Sequence, residues 1–106
     1  MISDLISQLD DGDPEVRSFA AYYLKNIGDR SAIDPLLKRL NDETPMVRHS
    51  AVHSVSLLGY RFGEKKVVAR VAESLSDTDE GVRKEAAMVL GKIGRASCRE
   101  RVYACV

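Results

Sequence analysis

Tryptophan is absent from this chain, and two phenylalanines and four tyrosines are its only aromatics. A protein that grips nucleic acid usually carries a basic excess and stacking rings. Here sixteen basic residues meet sixteen acidic ones. Three arginines and one glutamate fall in the last twelve residues, which leaves residues 1–94 with 13 basic and 15 acidic groups, a net of −2. No nucleic-acid partner is expected. No apolar run approaches the roughly 18 residues that would cross a bilayer. The opening "MISDLISQLDDGD" has acids where a secretory leader has a basic segment. The expectation is therefore a cytoplasmic protein with no membrane partner. Both cysteines, Cys98 and Cys105, lie near the C-terminal end, so residues 1–94 hold no thiol for a disulfide or a metal. Neither a nucleophile–base set nor a phosphate loop is found. No catalytic residue and no cofactor is implied.

What the sequence does have is repetition. "DPEVR" at 13–17, "TPMVR" at 44–48 and "DEGVR" at 79–83 are near copies. Aligned on Val16, Val47 and Val82, at offsets of 31 and 35, the copies also superpose Leu9, Leu40 and Leu75, then Ala20, Ala51 and Ala86, then Gly28, Gly59 and Gly94. A fixed internal period is the signature of stacked units. Each copy reads as two helices. The first carries an apolar stripe at helical spacing: Ile2, Leu5, Ile6, Leu9; then Ile33, Leu36, Leu37, Leu40; then Val68, Val71, Ala72, Leu75. The second opens at Asp13, Thr44 or Asp79, whose side chains can accept the free N–H groups of a first turn. Pro14 and Pro45 stand at the first helical position, where no N–H is needed. Gly28, Gly59 and Gly94 are expected to end these helices in the left-handed conformation. The four extra residues of the longer offset fall in "GYRFGEKK" (59–66), read as a loop whose Tyr60 and Phe62 cover a helix edge.

Two short helices cannot bury such a stripe alone, whereas stacked pairs bury it against their neighbours. The fold class expected is all-α, an α-solenoid (superhelix) of three stacked antiparallel helix pairs. Its repeats span about 1–31, 32–62 and 63–94, within one domain, 1–94. The pattern resembles HEAT-like repeats. In particular, "DGDPEVRSFAAYYLKNIGDRSAIDPLLKRL" (11–40) is similar, almost position by position, to the short variety known from phycobilin lyases, D-x-x-P-x-V-R-x-x-A-x-x-x-L-x-x-I-G. The resemblance covers residues 1–94. It implies a fold rather than an activity, because the family includes enzymes, chaperones and scaffolds. HEAT-like deoxyhypusine hydroxylases hold iron through His-Glu pairs that follow the Val-Arg. The pairs here are Ser18-Phe19, His49-Ser50 and Lys84-Glu85, so that activity is not implied. The stretch Ile93 to Val102, "IGRASCRERV", resembles a reading frame of a common sequencing adapter. Residues 95–106 are accordingly expected to be a non-native tail.

Arg17, Arg48 and Arg83 recur with Asp11, Asp42 and Asp77. A matching acid for each guanidinium favours a structural ladder over an anion site. Core positions removed, the second helices leave one face that includes Lys25, Leu57 and Lys84, with Tyr22, Met46, His49, His53 and Met88 near its middle, a mixed surface suited to a protein or peptide segment, for which Tyr22, Met46, His49, His53, Lys84 and Met88 are the expected contacts. His49 and His53, four apart, share a helix face, but two ligands make no metal site of their own, and no metal is expected. Ser18, Ser50, Ser54 and Ser56 read as helix-surface serines. The function expected is a non-catalytic protein–protein interaction scaffold or adaptor, a fragment of a longer repeat protein or a unit that self-associates through its terminal repeat. The alternative, implied by the resemblance alone, is a bilin lyase or lyase-like subunit in which Tyr22, His49 and His53 contact a tetrapyrrole bound for a phycobiliprotein.

Overall fold

A computed structural model describes the backbone of residues 2–105 and the side chains of residues 2–92. Six α-helices follow one another in pairs: α1 (Ile2–Gln8) with α2 (Pro14–Ile27), α3 (Ile33–Arg39) with α4 (Pro45–Phe62), and α5 (Lys65–Glu73) with α6 (Glu80–Cys105). Single 3-10 turns lie at Arg30–Ala32 and Ser74–Ser76, and no strand occurs among the described residues. Each second helix packs on its own first helix, and α4 lies between α2 and α6. The result is an α-solenoid whose spine is the row α2, α4, α6. No helix among the described residues is long and apolar enough to cross a membrane.

The packing follows from the repeat. Leu9, Leu24, Leu36, Val52, Val55, Leu58, Val67 and Val71 are fully buried in one continuous core. Ala20, Ala51 and Ala86 are buried at the same repeat position, where a methyl group lets neighbouring helices approach closely. Asp13 caps α2 by accepting from the Glu15 amide at 2.9 Å, and Gly28 ends that helix at φ 69°. Asp79 accepts from the Val82 amide at 3.0 Å. Thr44 makes no side-chain cap. Its hydroxyl instead faces the Arg17 guanidinium at 3.4 Å.

Three expectations are corrected here. First, Gly59 does not end α4. The helix runs on to Phe62 and is closed by Gly63 at φ 67°. The four inserted residues amount to about one turn of helix, so α4 lengthens without rotating its buried face, and Phe62 packs against the core. Second, Gly94 does not end α6, which continues to Cys105. The segment after Gly94 contains no proline or glycine and holds three Arg, two Ala and one Glu, all compatible with helix. The side chains of this segment, including Cys98, Cys105 and the adapter-like stretch, lie outside the described residues. Third, the stripe of α5 is only partly buried. Val67, Val71 and Ser74 face the core, whereas Val68 and Leu75 are 42% and 44% exposed and Ala72 is exposed as well. The equivalent Ile33, Leu37 and Leu40 of the middle pair are buried. Among the described residues no further pair lies beyond the last one to cover those positions.

Candidate functional site

The turns between paired helices are built alike. The Asp11, Asp42 and Asp77 carboxylates each accept the backbone amide two residues on, from Asp13, Thr44 and Asp79, at 2.9 Å. The Arg17, Arg48 and Arg83 guanidiniums each donate to the backbone carbonyl of the Asp in their own repeat at 2.8 Å. The free edges of the Arg17 and Arg48 guanidiniums then reach forward. Arg17 Nε and Nη2 meet the Asp42 carboxylate at 3.0 and 3.2 Å, and Arg48 Nε and Nη2 meet that of Asp77 at 2.9 and 3.0 Å. Each pair is a two-bond fork across a seam.

Burial pushes the Asp42 carboxyl up, but the Thr44 amide and the Arg17 and Arg39 guanidiniums outweigh it and hold the group below its ordinary value. Asp77 is treated likewise: burial raises it, while Arg48 and the Asp79 amide bring it lower. A carboxyl whose pKa is lower folded than unfolded binds its proton more readily in the unfolded chain. Its stabilising contribution is then complete above the unfolded value of about 3.9 and is lost as pH falls below that, through the folded value. Urea melts between neutral pH and pH 3 are expected to show the midpoint hold above about pH 5 and fall steeply below about pH 4. In an Asp42→Asn, Asp77→Asn double variant that acid slope flattens.

The exposed side of the row α2, α4, α6 carries a second set of contacts. Lys25 Nζ, on α2, lies 2.9 Å from His53 Nε2 on α4, and His53 Nδ1 lies 2.5 Å from Glu85 Oε1 on α6. An ammonium can only donate, so Nε2 accepts and the ring proton sits on Nδ1, facing the carboxylate. The other Glu85 oxygen is 3.6 Å from His49 Nε2. Tyr22 stacks on the His53 ring with centroids 5.8 Å apart, and Lys25 Nζ also caps the Tyr22 ring at 3.7 Å. This chain of contacts ties the three second helices together across the middle of the face. His49, His53 and Glu85 are engaged with one another, and among the described residues no group of three or more His, Cys, Asp or Glu side chains is arranged to hold a metal.

Two clefts flank that centre. One, of about 350 Å³, is lined by Glu15, Ser18, Phe19, Tyr22, Met46 and Ser50 between α2 and α4. The other, about 190 Å³, lies between α4 and α6, where Leu57, Tyr60 and Met88 stand around His53, Ser56 and Lys92. Tyr22, Met46, Leu57, Tyr60 and Met88 are all between 44% and 49% exposed. That is a cluster of large apolar side chains on one face. Among known proteins, a model of HEAT repeats matches residues 2–60, the first two helix pairs. The chain belongs to the HEAT repeat family. No curated protein matches it.

In this HEAT repeat protein, Tyr22, His49, His53 and Met88 lie together on the second-helix face, and Met46 lines the cleft beside Tyr22. Lys84, one turn before Met88 on α6, is paired with Glu80 at 3.1 Å. The serines are corrected: Ser18, Ser50, Ser54 and Ser56 are buried, not surface, residues. Ser50 bonds Ser18 across the seam at 2.8 Å, and Ser54 donates to the Tyr22 carbonyl at 3.4 Å. Small hydroxyls fit where α4 meets α2. Lys25 and Leu57, on the expected face but not among its expected contacts, belong to the site, and so do Glu85 and Tyr60, which that face did not include. Glu85 had left a signal. It shares its repeat position with Phe19 and Ser50, and a carboxylate at a position that faces the preceding helix needs a partner there.

Proposed function

We propose that this HEAT repeat protein is a non-catalytic interaction module that holds a segment of another protein against the row α2, α4, α6. The support is the grouping of half-exposed Tyr22, Met46, Leu57, Tyr60 and Met88 about two clefts, with Lys25, His53 and Glu85 bonded across the middle. A partner helix or extended peptide would set an apolar side chain into the α4–α6 cleft and a second beside Tyr22 and Met46, with polar groups meeting His49 and Lys84. The Arg17–Asp42 and Arg48–Asp77 forks face the turns, away from these clefts, and serve to keep the pairs in register. Association between copies through the terminal repeat is the other part of the proposal. The tetrapyrrole reading has less support. The α4–α6 cleft, about 190 Å³, is smaller than the roughly 300–1,000 Å³ of small-molecule sites and suits a single side chain, and the α2–α4 cleft, about 350 Å³, reaches only the low end of that range.

Peptides selected from a random display library against the wild type are expected to share one large apolar anchor. A Leu57→Glu, Met88→Glu double variant, whose substitutions sit on exposed positions, should melt as the wild type does and lose these peptides by roughly a hundredfold, the effect of removing a hot spot. Peptides bound equally well by the double variant would place the contact elsewhere and refute the reading.

A further inference from the structure

Within the stack each arginine serves the repeat that follows it: Arg17 meets Asp42, and Arg48 meets Asp77. Arg83 makes the same bond to its own repeat, the Asp77 carbonyl at 2.8 Å, and a second to the Thr78 carbonyl at 3.2 Å. Among the described residues no carboxylate stands on its forward edge. At the opposite end of the stack, Asp11 occupies the position of Asp42 and Asp77. Its carboxylate accepts the Asp13 amide and is exposed, with no arginine behind it among the described residues. One end therefore presents the donor of a fork and the other end the acceptor.

The packing positions divide the same way. Ser50 and Glu85, which pack back onto the preceding helix, are buried, as are Ser54 and Val89 one turn on. Phe19 and Tyr23 hold these positions in the first repeat. They are 59% and 46% exposed, with ring centroids 5.0 Å apart. On the forward side Ala21 and Val52 are buried, whereas their equivalent Ala87 is exposed, and a Cβ on Gly91 would meet nothing within 4 Å. The front of α6 is thus low at Ala87 and Gly91, with exposed Lys84 and Met88 beside them, and the back of α2 carries two large rings. Val68, Ala72 and Leu75 extend the uncovered apolar surface along α5.

We propose that the last repeat of one molecule docks on the first repeat of another, so that Arg83 forks onto Asp11 of a second copy while Phe19 and Tyr23 of that copy lie over Ala87 and Gly91. The proposal rests on the reading that the terminal repeat self-associates, and it names the surface that receives it. Opposite charge, large rings against small residues, and recurrence of the internal seam all select a second copy of this chain over an unrelated partner. The contact is head to tail and leaves the same two ends free on every assembly. It therefore extends rather than closes.

Sedimentation velocity of the full chain is expected to show a mean mass that rises with concentration past that of a dimer, without a plateau. Arg83→Asp and Asp11→Arg, each alone, place like charges across the contact and should weaken association by roughly tenfold or more. Mixed in equal amounts, the two variants pair opposite charges again and should recover it. Should Asp11→Arg melt early through loss of the turn to Asp13, Tyr23→Lys and Ala87→Glu probe the same contact at exposed positions outside the peptide clefts, with the same loss alone and recovery when mixed. A wild type that stays monomeric at every concentration overturns self-association altogether. A wild type that stops at a dimer, or that ignores both charge reversals, overturns the head-to-tail contact alone. Peptide binding by the second-helix face is read separately and is decided by neither result.

Discussion

Replacing Asp42 by Ala is expected to lower the stability of the protein by about 3 kcal/mol, the low end of the cost of breaking a buried ion pair from one side. The Asp42 side chain is only 2% exposed. It accepts from Arg17 at 3.0 and 3.2 Å, from Arg39 at 3.2 Å and from the Thr44 amide at 2.9 Å. Truncation leaves the largely buried Arg17 guanidinium without its counter-charge and the Thr44 amide without an acceptor. The penalty is set by those stranded donors rather than by the lost attraction. For a chain of this size each kcal/mol moves the melting temperature by about 4–8 °C, so the midpoint should fall by about 15 °C. Asp42→Asn keeps an acceptor for the amide and should lose less. Asp11→Ala removes the same residue type at the same repeat position, where the carboxylate holds a single backbone amide, and should cost far less again. Calorimetry on the three variants checks the order. An Asp42→Ala protein that melts with the wild type would mean that the forks across the seams contribute nothing to the stack.

That contrast also marks the limit of what the sequence discloses. The period was legible because Val, Arg, Asp, Ala and Leu recur at fixed offsets, and a recurring apolar stripe with recurring caps admits few architectures other than stacked helix pairs. Within each pair, the arginine and aspartate could be seen as partners in kind. The direction of the pairing, forward by one repeat, could not, because residues 25 or 29 apart are brought together only by the angle at which one pair lies on the next. The α5 stripe failed for a related reason. Val68, Ala72 and Leu75 keep the pattern of a middle repeat, but burial depends on a neighbour, and among the described residues none lies beyond the third pair. The candidate face was half visible. Tyr22, His49, His53 and Met88 stood out as residues left over from the core. Lys25 and Glu85 carry little signal of their own because a lone charge on a helix is usually solvated, and what makes them part of the site is a histidine from another repeat lying between them.

Gly59 illustrates the same dependence on a neighbour, and with it the other large expected effect. In an isolated helix, Gly→Ala gains about 1 kcal/mol from reduced backbone freedom. In this protein Gly59 lies inside α4, and a Cβ placed there would sit 2.7 Å from both Cβ and Cγ1 of Val67 and 2.8 Å from its Cγ2. Val67 is itself 1% exposed and has nowhere to turn. Because one of the clashing atoms is the Val67 Cβ, no rotamer change relieves the overlap, and α5 must move bodily away from α4. Overpacking of that kind costs typically 1–3 kcal/mol. Gly59→Ala is therefore expected to destabilise despite its gain in helix propensity, and Gly59→Val, with two further methyl groups at the same contact, to cost about 3 kcal/mol. Gly91, helical as well, meets nothing within 4 Å at its Cβ position, so Gly91→Ala should stabilise by up to about 1 kcal/mol. Denaturant titrations of the two alanine variants thus predict opposite signs for one substitution at two helical sites. Equal shifts in the same direction would mean that α5 yields easily, and that the close approach of α4 and α5 does not hold the third pair against the second.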